Sequence, residues 1–128
     1  MEKKYAGDDI EIQFTVKDNG TVVDLSGYTG IICVFYYPNG DVLGRYSLNT
    51  VTGYNSDDLE VVVAANGTFK VRIQSDVTRA ASKFGEIRAE IKVEASNADY
   101  TDSTYHTLVR DVRCFQLFDS KSKNVSSF

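Results

Sequence analysis

From Gly7 to Asp41 the chain alternates hydrophobic and polar positions with unusual regularity, and this pattern predicts two strands and three turns. Ile10, Ile12, Phe14 and Val16 interleave with Asp9, Glu11, Gln13, Thr15 and Lys17, the period of two that buries one face of a strand and solvates the other. Asp18-Asn19-Gly20 ends the run. Asn-Gly reaches the positive φ angles of a tight hairpin at little steric cost, so the chain is expected to fold back here. A short extended piece and a Ser26-Gly27 turn follow. β-Branched and aromatic residues then fill Thr29 to Tyr37, until Pro38-Asn39-Gly40-Asp41 closes a second strand.

The same reading carries through the rest of the chain. Asp41 to Leu48 forms a third strand with Gly44 at a bulge or close approach. Leu59 to Ala64 and Thr68 to Gln74 flank an Asn66-Gly67 turn, with Phe69, Val71 and Ile73 on one face and Lys70, Arg72 and Gln74 on the other. Ser75-Asp76 caps one or two helical turns through Ala80-Ala81. From Gly85 to Ala95 the alternation is cleanest: Ile87, Ala89, Ile91 and Val93 inward, Glu86, Arg88, Glu90, Lys92 and Glu94 outward. A last strand spans Thr107 to Phe118. About seven strands, with turn signals roughly every ten residues and one short helix, predict an all-β, immunoglobulin-like antiparallel β-sandwich of Greek-key type. It occupies residues 1–118 as one domain, with a flexible, Ser- and Lys-containing tail at 119–128. The pattern leaves strand order open, and an up-and-down barrel is the alternative.

One feature breaks the rule that each sandwich strand has an apolar and a polar face. Ile31, Cys33, Phe35 and Tyr37 are apolar, and so is the opposite set, Ile32, Val34 and Tyr36. In the last strand Val112 and Cys114 lie on one face, Phe115 and Leu117 on the other. Either a loop or the tail covers the surplus face, or it is a protein contact, because a contiguous apolar patch is costly to leave in water. The candidate interface residues are therefore Ile32, Val34, Tyr36, Phe115 and Leu117, with Ile31, Phe35 and Tyr37 the set to consider if the phase is reversed.

A resemblance adds to this. Gly7-Asp8 opening an alternating strand, the Asp18-Asn19-Gly20 turn, Val23-Asp24-Leu25-Ser26-Gly27, a buried strand and Pro38-Asn39-Gly40-Asp41 are together similar to the N-terminal domain of phage baseplate upper proteins. Gly85-Glu86-Ile87-Arg88-Ala89-Glu90-Ile91 resembles the same family's G-x-aromatic-x-A-x-I strand, with Ile87 where an aromatic is usual. The resemblance implies an immunoglobulin-like sandwich near the virion-proximal start of a tail or receptor-binding protein. This chain departs from it in stopping soon after one domain, which leaves a fragment or a small accessory protein, of the tail or of the head, as readings.

Composition narrows the chemistry. The 128 residues suit a single core. Net charge is −4, and the basic residues are scattered rather than striped, so nucleic acid is a poor partner. MEKKYAGDD turns acidic before a signal-peptide core can form, and the longest apolar run, Ile31 to Tyr37, is far short of the ~20 residues of a membrane span. The protein is thus expected to begin near Met1 and to be made in a cytosol. Cys33 and Cys114, with no tryptophan between them, read as reduced, small apolar side chains; a disulfide is the other reading.

No catalytic site, metal site or cofactor is expected. His106 is the single histidine, no nucleophile motif surrounds the serines, and Gly27 and Gly30 lack the lysine and helix of a phosphate loop. Asp8-Asp9, Asp57-Asp58 and Asp99 with Asp102 read as solvated turns rather than glycosidase pairs, and the last pair lacks the ligand ladder of a calcium loop. Asn19, Asn66 and Asn124 each open a glycosylation sequon, of which the first two read as turns. The expectation is a non-enzymatic virion module, assembled in the bacterial host cytoplasm, that docks on other virion proteins or on further copies of itself. The alternatives are a carbohydrate-binding sandwich using Tyr28, Tyr46, Tyr54 or Tyr100, weakened by the lack of tryptophan, and a surface adhesin domain.

Overall fold

The computed structural model describes residues 1–125. In chain order it contains β1 (Lys3–Tyr5), β2 (Ile10–Thr15), β3 (Lys17–Asp18), β4 (Thr21–Val22), β5 (Tyr28–Tyr36), β6 (Val42–Ser47), β7 (Leu59–Val63), β8 (Thr68–Ile73), α1 (Ser75–Arg79), β9 (Gly85–Ser96) and β10 (Thr104–Phe118). One-turn 3-10 segments occupy Leu25–Gly27 and Ala64–Asn66. The protein is mostly β-strand with one short helix, arranged as a five-stranded sheet β1-β10-β9-β5-β6, a three-stranded sheet β2-β8-β7 and the small β3-β4 ribbon.

The turns behave as their chemistry requires. Asn19 and Gly20 both take positive φ, 51° and 78°, and join β3 to β4. Gly67, at φ 66°, ends the 3-10 turn before β8, and a Cβ there would lie 2.6 Å from the Val23 carbonyl oxygen, so no larger residue fits. Gly44 is a close approach, as expected: an added Cβ would meet the Tyr46 ring at 2.9 Å, and the β5–β6 register shifts beside it. Helix α1 starts without a side-chain cap at Gln74. Asp9 Oδ1 instead accepts from the Ser75 amide at 2.7 Å, and Thr78, fully buried, donates its hydroxyl to the Asp8 carbonyl.

The inward residues of the two larger sheets form one core. Ile10, Phe14, Phe69, Val71 and Ile73 come from the three-stranded sheet, and Ile31, Cys33, Phe35, Ile87, Ala89, Ile91 and Val93 from the five-stranded sheet. Phe14 bridges them, 6.1 Å from Phe35 and 5.2 Å from Phe69 between ring centroids. Cys33 and Cys114 are free thiols. Burial pushes Cys33 well above the usual thiol range and Cys114 up to about 12, so neither offers a thiolate near neutrality.

Two features escaped the alternation. β1 is one, pairing in parallel with the end of β10. The other is a pair of register shifts in β10, between Val109 and Val112 and between Arg113 and Phe115. Each inserts an extra residue and resets the phase, so Val112 opposite Ala89 and Phe115 opposite Ile87 both point inward. The two apolar faces expected of this strand are one face interrupted by bulges. Phe115 and Leu117, at 1% and 0% exposure, belong to the core and not to an interface. The segment after Phe118, expected as a free tail, folds back as far as it is described. Arg79 Nε donates to the Lys123 carbonyl at 2.8 Å, and the Lys123 backbone lies against Gly7. The rest of the stretch expected as tail, and Ser126 of the Asn124 sequon, lie outside the described residues.

Burying an unpaired carboxylate costs several kcal/mol, comparable with the ~5–15 kcal/mol stability of a small domain. Ile91→Asp should therefore abolish the cooperative thermal melt. Glu90→Ala, on the solvated side of the same strand, should shift the melting temperature by no more than a few degrees; equal losses in both would contradict the register of β9.

Candidate functional site

The two outward sheet faces differ in kind. On the three-stranded sheet Lys70 Nζ lies 3.3 Å from Glu11 and 3.1 Å from Glu60, and Arg72 Nη1 lies 3.4 Å from Glu60. Charge is matched across the strands, and the exposed apolar side chains of this sheet, Val62 and Val63 at 44% each, lie at the end of its edge strand β7. On the five-stranded sheet the central strand β5 instead presents Ile32, Val34 and Tyr36 outward, each half-buried. Their partners on β9 are Lys92, Glu90 and Arg88, and on β6 Ser47, Arg45 and Val42. Long charged side chains thus stand on both sides of an apolar row and shield it with their aliphatic stems. Leu108, opposite Lys92 on β10, is 42% exposed and extends the apolar surface across the sheet.

Each end of the row is finished differently. At Tyr36 the phenol donates to Asp111 Oδ1 at 2.5 Å and accepts from the Asp111 amide at 3.1 Å. Asp111 is the left-handed residue of the first β10 bulge, at φ 56°. Burial, then the Asp111 carboxylate, raises the Tyr36 phenol above its ordinary 10. At Ile32 the loop after β6 stands over the sheet and leaves a pocket of about 390 Å³ above Gly30. Ile32 and Val51 give it apolar walls; Thr29, Asn49, Lys92 and the Glu94–His106 pair, 3.0 Å apart, give it a polar rim. Asn49 Nδ2 donates to the Thr29 carbonyl at 2.7 Å, which fixes the loop over the strand.

Of the five residues singled out from the sequence, the structure brings Ile32, Val34 and Tyr36 together on this face and takes Phe115 and Leu117 away from it. A loop covers the Ile32 end, the stems of neighbouring charges the middle, and the segment after Phe118 lies elsewhere, against α1. The sequence did not point to Asp111 as the partner of Tyr36. Its signal was the polar pair Arg110-Asp111 between Val109 and Val112, a spacing of three where a regular strand requires two.

The carboxylate pairs act as turn anchors. Asp8 accepts from the Tyr5 amide, Asp102 from the Thr104 amide and Asp58 from Gln74 and Asn55. Among the described residues no three His, Cys, Asp or Glu side chains gather as they would around a metal ion, and no helix is long and apolar enough to cross a membrane. Of the tyrosines considered as sugar platforms, Tyr46 is buried at 2% exposure, and Tyr100 packs on Tyr105 with ring centroids 5.3 Å apart. A larger cleft, about 550 Å³, lies between the β5–β6 hairpin and the segment after α1, lined by Tyr37, Leu43, Val77 and Ala81. Lys83 closes it, pairing with Asp41 and accepting the Tyr37 hydroxyl on its carbonyl at 2.6 Å. No protein-family model matches the chain, and no curated protein matches it.

Two measurements bear on the face. Tyr36→Phe removes the hydroxyl that both donates to and accepts from Asp111, and should cost about 1 kcal/mol in urea unfolding; no loss would mean that the bulge holds its shape without it. Glu86 is held below its usual 4.5 first by the hydrogen bond from Arg113 and then by that from Arg88. A carboxylate depressed in the folded state stabilises above its unfolded pKa, and that contribution disappears as pH falls through the folded value. The melting temperature should therefore drop below pH 4.5, and less steeply in Glu86→Gln.

Proposed function

We propose that this chain is a non-enzymatic assembly module of a phage or prophage virion that docks on neighbouring subunits through the outward face of the five-stranded sheet. The observation that carries the docking role is the contrast between the centres of the two outward faces: the middle strand of one is tied into a ladder of ion pairs, with Val62 and Val63 exposed only on its edge strand, while the central strand of the other keeps Ile32, Val34 and Tyr36 as an apolar row, extended by Leu108 and rimmed by charge. Half-exposed apolar rows with polar rims are what protein interfaces are built from. The virion setting is supported by the resemblance of the Gly7–Asp41 and Gly85–Ile91 motifs to baseplate upper proteins. In the same reading the two sheets are the halves of an immunoglobulin-like Greek-key sandwich, which fits seven strands of five or more residues around one core.

The test is substitution on one face with the other as control. Val34→Lys should retain a cooperative melt, since its side chain points away from the core, yet lower incorporation into particles about tenfold, the equivalent of ~1.4 kcal/mol of contact energy. Gln13→Lys on the opposite sheet should change neither. Normal incorporation of Val34→Lys into particles would remove the face from the mechanism. Capsid, portal and tail genes beside this one would accord with the proposal, and polysaccharide-utilisation genes would point to sugar binding instead.

A further inference from the structure

The charges on the docking face are not equally engaged. Glu86 pairs with Arg88 and Arg113, Glu90 with Arg110, Glu94 with His106 and Thr29, and Asp111 holds the Tyr36 hydroxyl. Every acid on the face thus has a partner. Among the described residues Lys92 and Arg45 have neither an ion pair nor a side-chain hydrogen bond, although they flank the apolar row on either side, Lys92 opposite Ile32 and Arg45 opposite Val34. In a chain of net charge −4 the two charged side chains on this face that lack a partner are both cations.

The pocket above Gly30 adjoins this pair. Gly30 has no side chain to fill it, Ile32 and Val51 make it apolar, and Lys92 stands at its rim. At about 390 Å³ it has room for one large side chain.

We propose, building on the docking role argued above, that the partner contributes an acidic, apolar segment: a hydrophobic side chain enters the pocket above Gly30 and carboxylates flanking it meet Lys92 and Arg45. Charge complementarity selects this occupant over a second copy of the chain. Two copies meeting face to face about a twofold axis would bring the same two unmatched cations together, and like charges across an interface are unfavourable. The matched acids stay where they are, so the partner displaces no existing ion pair.

Two capped nine-residue peptides test this, one alternating leucine with glutamate and one alternating leucine with lysine, each titrated into the isotope-labelled protein and followed by amide chemical shifts. The glutamate peptide should shift Gly30, Ile32, Val34 and Lys92, bind more weakly as salt rises, and lose at least about tenfold in affinity to the Arg45→Gln/Lys92→Gln double variant, whose outward, unpaired positions leave the fold intact. Equal binding of the lysine peptide, shifts confined to other surfaces, or undiminished binding by the double variant would overturn the proposal. So would concentration-dependent dimerisation abolished by Val34→Lys, which would assign the face to a second copy. If the glutamate peptide fails while Val34→Lys still blocks particle incorporation, the acidic partner is wrong and the docking role stands; if both fail, both are wrong.

Discussion

Strand β9 is the constraint on which the rest of the structure depends. It is hydrogen-bonded on both sides, to β5 and to β10, and its inward residues Ile87, Ala89, Ile91 and Val93 alternate without a break with five charged ones. A slip of one residue would drive glutamate, arginine and lysine into the core and expose the aliphatic set, so its register has no near competitor. Its neighbours accommodate to it. β10 does so with two bulges and β5 with one beside Gly30, while β9 stays regular. Phe14 then closes the second sheet over it through Phe35 and Phe69.

Where one periodicity governed a stretch, the sequence was enough. The phases of β2, β8 and β9, the Asn19-Gly20 hairpin and the Asn66-Gly67 turn follow from side-chain chemistry within a few residues. The outward set of β5, Ile32, Val34 and Tyr36, was one of two that the sequence left open, because both faces of that strand are apolar and only its partners fix the phase. What failed was anything set by distant partners. β1 has only three residues and no alternation, and becomes a strand because the end of β10 offers it a free edge. Phe115 and Leu117 were misplaced because a bulge moves every later side chain to the other face, and the shift at Cys114 carries no turn residue to announce it. Asp111 is the local exception, an acid in the left-handed region, tolerable because its amide and carboxylate both engage Tyr36. Lys123 against Gly7 has no sequence signature, since it joins the two ends of the chain.

On the outward face of the larger sheet, charged and apolar side chains share one surface. Isolated ion pairs on such a surface contribute little to stability. The stems of Arg45 and Lys92 lie beside Val34 and Ile32 all the same, so that water meets charged heads while the apolar row stays close beneath. In the proposed docking role a partner has only to push aside these long side chains. The rigid parts, the Tyr36–Asp111 contact at one end and the Asn49 loop at the other, fix the length of the row.

The parallel pairing of β1 with β10 sets how the domain bears load. Lys3, Lys4 and Tyr5 lie beside Gln116, Leu117 and Phe118, and the backbone bonds from Gln116 to Glu2 and from Ala6 to Phe118 extend the seam at either end. Because the strands run the same way, a pull on the N-terminal side of β1 and the C-terminal side of β10 drags them past each other lengthwise. All the bonds of the seam are then strained together, in shear, instead of opening one after another as in a peeled hairpin. Tension transmitted along the chain therefore meets its resistance at this short seam before it reaches the core.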